Sequence, residues 1–328
     1  MSESGPEVGG GAGGESEALP AFPARDPSGH KGTFGTVAVV GGCCAGAVRM
    51  VGAPALAAIG ALRAGAGRAR MVMPEPILAE AIAIAPSATG VSMRVDADGL
   101  VEAHEATAAI DAALEACEAL VVGPGMGVSA GTAAAALRAV QGETPVVVDA
   151  DALTALAGIA ELHRDFRAPA VLTPHVGEFR RLAATVGVDE DPASAATRPE
   201  AAAHLARRLG CIVVLKGPGT VVSDGHRVWV NASGNAALAT AGTGDVLAGV
   251  IAGIAAQFVR GATSPRGRSA GAAGATLDLF DAARLGVAAH GAASDLWVRR
   301  HGTNAGMLAT ELAELVPEAI EALRARPA

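Results

Sequence analysis

No apolar run in this chain of 328 residues is long enough to span a bilayer; the longest, such as residues 246–259, is broken by Gly and Gln well short of roughly 20 residues. Nor is there an excess of positive charge. The formal charge is -8, whereas a nucleic-acid binder clusters Lys and Arg against phosphate, so a small-molecule partner is expected instead. Cysteine is scarce: Cys43, Cys44, Cys117 and Cys211 show no C-x-x-C spacing, which speaks against a zinc site and a disulfide framework. A reducing, cytoplasmic location is expected. Residues 1–19 have neither a basic start nor an apolar segment, so they match neither a secretory signal nor an anchor. The Gly-, Ser- and Glu-rich residues 1–25 are expected to form a disordered tail. Tyrosine is absent, and of 25 basic residues only Lys31 and Lys216 are lysine, so each lysine stands out. The common nucleotide motifs are missing too. No G-x-x-x-x-G-K-[ST] occurs, and Gly242, Gly244 and Gly249 miss the G-x-G-x-x-G spacing, which weakens both the P-loop and the Rossmann dehydrogenase readings.

What is present is apolar: 51% of residues, enough for one α/β domain over residues 26–328. Short β-branched or apolar runs at 36–40, 69–73, 119–122, 145–148, 170–172 and 211–215 are too short for helices and alternate with helical stretches. That pattern predicts a mostly parallel sheet with helices on both faces. Residues 220–223 and 227–230, separated by Asp224-Gly225-His226, predict an antiparallel hairpin at the sheet edge. Helices are expected at about 52–66, 245–259, 277–299 and 305–324, and the Gly-, Ala-, Ser- and Arg-rich residues 260–275 are expected to form a flexible inserted loop between two of them.

The segment richest in chemistry follows Asn231-Ala-Ser-Gly-Asn235: Gly242-Thr243-Gly244-Asp245 opens a long apolar helix. Closely spaced glycines before a helix let backbone N–H groups converge on one spot, and the helix N-terminus adds partial positive charge, so Gly242, Thr243 and Gly244 predict an anion hole. Asp245 reads either as a helix cap or as a base that takes a proton from a hydroxyl beside the bound phosphate. Asp149 and Asp151 end a buried strand, where ligands of open α/β sheets bind; they read as turn and cap residues or as groups reaching Mg²⁺ through water. His175 and Glu178, in Leu172-Thr-Pro-His-Val-Gly-Glu, open the next helix, with the histidine expected as a substrate contact and the glutamate as either a first-turn residue or a functional acid. Lys216-Gly217-Pro218-Gly219-Thr220 carries a rare lysine into a glycine turn that can lie along a nucleotide. Gly123-Pro-Gly125-Met-Gly127 permits close approach of a ligand to the backbone. His30-Lys31 belongs either to a phosphate-side loop or to a lead-in turn before the first strand.

Taken in order, seven segments resemble the ADP- or ATP-dependent NAD(P)H-hydrate dehydratase family: His30-Lys-Gly-Thr-Phe-Gly, Gly52-Ala53-Pro with Leu62-Arg-Ala-Gly-Ala-Gly, Gly123-Pro-Gly-Met-Gly, Asp149-Ala-Asp-Ala-Leu, Leu172-Thr-Pro-His-Val-Gly-Glu, Leu215-Lys-Gly-Pro-Gly-Thr and Gly242-Thr-Gly-Asp. The resemblance implies a ribokinase-like three-layer fold and a repair activity that returns the hydrated S form of NADH or NADPH to NADH or NADPH while consuming ADP or ATP. It also implies Mg²⁺, a homo-oligomer of tetramer type, and ADP as the preferred nucleotide. By the same carry-over, Ala53, Gly125, His175 and Asp245 contact the hydrated dinucleotide, residues 216–220 and Gly244 hold the adenine nucleotide, and Asp245 is the base. Ala241, Thr154 and Cys43-Cys44 depart from the family pattern, which has Gly, Asn and Ser there. The chain has no room for the epimerase domain that some relatives carry in front, so that activity is expected to reside elsewhere. Two rivals remain: a vitamin-alcohol kinase of the same superfamily, which would release a stable phosphate ester, and a nucleotide-binding regulatory protein without turnover.

Overall fold

A computed structural model of the protein describes residues 18–259 and 276–325. The expected loop 260–275 therefore lies outside the described residues, as does the tail through residue 17. Residues 18–25 correct the tail's extent. Phe22 is buried, its ring edge-on to Phe258 at 6.1 Å, and the Pro23 carbonyl accepts a hydrogen bond from Arg324 Nε. Residues 18–24 are Ala, Leu, Pro and Phe, apolar unlike the Gly-, Ser- and Glu-rich stretch before them, and the aromatic ring anchors them to the core.

Along the described residues run β1 (Thr36–Val40), α1 (Gly52–Arg63), β2 (Arg68–Pro74), α2 (Leu78–Ile84), β3 (Thr89–Met93), α3 (Ala103–Leu114), β4 (Ala119–Val122), α4 (Ala130–Val140), β5 (Val146–Val148), α5 (Ala150–Leu156), β6 (Ala170–Leu172), α6 (Val176–Val186), α7 (Arg198–Leu209), β7 (Ile212–Leu215), β8 (Val221–Ser223), β9 (Val228–Val230), α8 (Thr243–Phe258), α9 (Leu279–His301) and α10 (Ala309–Arg324). The strands form one sheet in the order β3-β2-β1-β4-β5-β6-β7-β8-β9. Pairing is parallel from β3 through β7, and β8 and β9 close the edge antiparallel, as the hairpin signal predicts.

Alternation along each strand feeds two cores. Val37, Val39, Val121, Val147, Val171 and Val214 pack with α1, α8, α9 and α10, while Ala38, Val40, Leu120, Val122, Leu172 and Val213 pack with α3 to α7 on the other face. This is the expected three-layer arrangement. Small residues bring α1 and α8 into near backbone contact: a Cβ on Gly249 would stand 2.0 Å from the Ala57 carbonyl oxygen. β3 was not anticipated, because as an outer strand it leaves four of its five residues exposed and lacks an apolar signature.

Two consequences place the site. All parallel strands end on one edge, so Gly41, Gly123, Asp149, Thr173 and Lys216 emerge together. The strand order reverses between β1 and β4, which opens a crevice at that edge. The His30-Lys31 loop lies at the other end. It leads into the start of β1, and its Lys31 carbonyl abuts Gly67 just before β2 starts, so it is the lead-in turn rather than a phosphate-side loop.

Candidate active site

At the crevice, the loop after β4 turns through Gly123, Gly125 and Gly127, all at positive φ. The last of these donates its N–H to Asp151 Oδ2 at 2.8 Å. Asp151 thus shapes the loop rather than capping α5, and Asp149, at the N-cap of α5, makes no capping bond either. A Cβ on Gly125 would stand 3.3 Å from the Ala53 Cβ and 3.2 Å from the Met50 Cβ. The fold therefore brings together two of the expected dinucleotide contacts, Ala53 and Gly125, at the switch point. His175 is also on this edge, but its Nδ1 accepts from the N–H groups of Gly177 and Glu178 and caps α6. The exposed remainder of the ring keeps Nε2 free of any hydrogen bond, 3.5 Å from Glu178 Oε1.

Behind this crevice lies a buried charge cluster. Lys216 donates to Asp149 Oδ1 at 2.8 Å, and Glu178 Oε2 stands 4.0 Å from the same ammonium. Asp149 Oδ1 also accepts from Thr173 Oγ1 at 2.7 Å, and Glu178 accepts from the His175 N–H at 2.8 Å. Burial works against the Lys216 ammonium, but Asp149 and then Glu178 outweigh it and hold its pKa above the ordinary value. Burial likewise raises Glu178, with Lys216 opposing.

Asp245 is the third residue of α8, where a capping-box side chain would bond the N-cap N–H. It does not. Among the described residues its carboxylate makes no hydrogen bond or ion pair. Its pKa is pushed up to about 7, first by burial and then by the Asp149 carboxylate, with Lys216 pulling the other way. The N–H groups of Gly242, Gly244 and Asp245 have no acceptor among the described residues, while Thr243 N–H reaches the Thr240 carbonyl only at 3.4 Å. A Cβ on Gly244 would stand 3.4 Å from Lys216 Nζ, so an ammonium and free amides share one spot beside an unengaged carboxylate.

That spot opens into a pocket of about 600 Å³, lined by residues 216–220, the 231–236 loop, Thr243, Gly244, Leu247 and the α9 residues Val287, His290 and Gly291. Its walls include residues the sequence reading missed. His290, buried on α9, meets the Thr243 carbonyl through Nε2 at 2.8 Å; because a carbonyl only accepts, that nitrogen carries the proton. Burial pushes its pKa down to about 4, so the ring is neutral. Asp295 accepts from Asn235 Nδ2 at 2.8 Å and from the Gly234 N–H at 3.0 Å, fixing the 231–235 loop. The available signal was a few polar residues on the inward face of an alanine-rich helix.

The family model described as NAD(P)H-hydrate dehydratase matches residues 37–318. The chain is 40% identical to a bifunctional NAD(P)H-hydrate repair enzyme of Salinibacter ruber, over 90% of this chain and 50% of that one. It is 36% identical to an ADP-dependent (S)-NAD(P)H-hydrate dehydratase of Xanthomonas campestris, over 93% and 95%. The chain thus spans about half the length of the bifunctional relatives and nearly all of the shorter ones. A crystal structure of the ADP/ATP-dependent NAD(P)H-hydrate dehydratase of Bacillus subtilis, grown with ATP and Mg²⁺, superposes with a TM-score of 0.71 at 31% identity, covering 92% of this chain and 95% of that one.

Proposed function

The chain belongs to the NAD(P)H-hydrate dehydratase family, and from that premise we propose that it restores the S epimer of hydrated NADH or NADPH, consuming ADP and releasing AMP and phosphate. One observation carries this reading: a half-buried carboxylate with pKa near 7 and no partner among the described residues stands beside free amides and an ammonium. A base poised near neutrality next to an anion hole suits transfer of a phosphoryl group to a substrate hydroxyl. ADP is assigned because full-length relatives carry that dependence in their names.

In this reading the hydrated nicotinamide occupies the crevice by Ala53, Gly125 and His175, and the nucleotide lies in the pocket against residues 216–220 and Gly244. Asp245 takes the proton of the ring hydroxyl as its oxygen bonds to the terminal phosphorus of ADP and the bond to AMP breaks. The Gly242 and Gly244 amides hold the charge on the transferred group. The ring nitrogen's lone pair then expels phosphate, and loss of a ring proton restores the dihydronicotinamide.

Mg²⁺ fits this site only as an ion carried by the nucleotide. Among the described residues no three His, Cys, Asp or Glu side chains form a metal-holding cluster. One oxygen each of Asp149 and Asp151 is already engaged, which leaves the other of each to reach a metal-bound water. When bound, the ion neutralises phosphate charge.

The test is recovery of NADH absorbance when purified protein is mixed with the S form of NADH hydrate, Mg²⁺ and either ADP or ATP. Recovery with stoichiometric phosphate release is expected. A stable phosphorylated ring product would instead establish the kinase, and no recovery from protein that binds ADP would sink the dehydratase.

A further inference from the structure

Arg198, the first residue of α7, is buried to 6% exposure. Its Nη1 donates to the Pro192 carbonyl and its Nη2 to the Leu215 carbonyl, both at 2.8 Å, and its buried Nε has no partner among the described residues. Among the described residues no carboxylate lies within ion-pair distance of the guanidinium. The position compounds the cost, since a cation in the first turn of a helix opposes the helix dipole. Burial alone lowers its pKa, and no neighbouring carboxylate counters that shift. A buried charge without a counter-charge is expensive, so an anion bound nearby would lower that cost.

The neighbouring pocket offers such an anion a place. Leu215, whose carbonyl Arg198 holds, directly precedes the 216–220 loop of the pocket wall. Gly217, at φ +147°, lies so close that a Cβ there would stand 2.7 Å from Arg198 Nη2. Gly217 itself forms part of the pocket wall and packs directly on the guanidinium. Lys216, by contrast, is already matched by two carboxylates and brings little unbalanced positive charge.

We propose that Arg198 is a positioning residue for the nucleotide, holding the 216–220 loop from behind and supplying, through Gly217, the uncompensated positive charge that selects a phosphorylated adenosine over the bare nucleoside. The proposal rests on the nucleotide occupancy argued above. A merely structural arginine would support adenosine, AMP and ADP equally; a charge acting through the loop weighs only on the phosphorylated ligands.

The experiment is calorimetric titration of adenosine, AMP and ADP into the full chain and into Arg198→Met and Arg198→Lys at one ionic strength. Arg198→Met is expected to weaken AMP and ADP about tenfold more than it weakens adenosine, which loses only the support of the loop. Equal weakening of all three ligands, or no change in any, overturns the proposal. Should Arg198→Met fail to fold, Arg198→Lys decides. It keeps the charge without spanning both carbonyls, so the ratio of AMP to adenosine affinity should stay within about twofold of the parent's, and collapse of that ratio overturns the proposal. If the parent itself binds none of the three, the nucleotide reading has failed and this inference with it.

Discussion

The two ends of α8 are made of similar small and apolar residues and differ in how completely their polar groups are satisfied. At the C-terminal end, Gln257 Nε2 donates to the Ala64 and Gly253 carbonyls at 2.9 and 2.7 Å, the Phe258 carbonyl accepts from the Leu277 N–H, and Phe258 stacks edge-on with Phe22. At the N-terminal end, three N–H groups and the Asp245 carboxylate have no partner among the described residues. One end holds the layers together. The other leaves groups unsatisfied that a charged ligand can satisfy, at a cost in stability that the packed end offsets.

The sharpest way to break this contrast is Asp245→Asn. Loss of the base should lower kcat/KM by about 10²- to 10⁴-fold. Stability should move the other way. Asp245 titrates near 7 in the folded chain against an ordinary 3.8, so between those values the folded state holds a proton that the unfolded state has lost. Its contribution to stability is therefore full below about pH 4 and lost as pH rises toward 7. Asparagine has no such proton to lose. Thermal melts should show parent and variant alike near pH 4 and the variant the more stable near pH 8, whereas a destabilised variant at pH 8 would mean that the carboxylate is structurally engaged.

The same pKa predicts the next largest effect. Because Asp245 must be ionised to accept a proton, kcat/KM should rise with pH through about 7, losing about tenfold per unit below that value. A profile flat from pH 5 to 8 would remove Asp245 as the titrating base. At the packed end, Gly253→Ala puts a Cβ 2.6 Å from the Ala61 carbonyl oxygen and 3.0 Å from the Ala61 Cα. Both are backbone atoms of α1, so the helices must part, and denaturant melts should show a loss of about 1–3 kcal/mol. Turnover by the folded fraction should change by less than about twofold, since Gly253 lies about two helical turns from Asp245 along α8.

This division also explains what could be read in advance. β4 and β6 coincide with the predicted runs 119–122 and 170–172, because a strand buried on both faces is apolar throughout. The exposed β3 carries no such mark. At the site, Asp245, Lys216 and the glycine turns were legible as local patterns of residue type. Their partnerships were not: Lys216 with Asp149, Asp151 with Gly127 and His290 with Thr243 join residues 67, 24 and 47 positions apart. Spacing along one strand or helix cannot encode such contacts. His175 shows the reverse case, a residue whose local signal suggested a ligand contact and whose Nδ1 is also committed to a helix cap.

The smallest effect should come from Asp295, which touches the site only through the 231–235 loop. Its two oxygens receive Asn235 Nδ2 and the Gly234 N–H, and Gly234 holds φ +98°, so the carboxylate ties a left-handed turn to α9 beside the Ser233–Ala288 and Asn235–Ser294 bonds. Asp295→Asn keeps the shape but replaces one acceptor with an NH₂ that faces a donor. The cost of one lost charge-assisted bond, about 1–2 kcal/mol, should appear mainly in the loop that lines the nucleotide pocket. The KM for ADP should therefore rise about five- to twentyfold while kcat changes by less than about twofold. A variant that lost kcat and left the KM for ADP alone would put Asp295 in touch with the chemistry. The contrast between a binding wall and a reacting helix end would then have to be redrawn with α9 on the catalytic side.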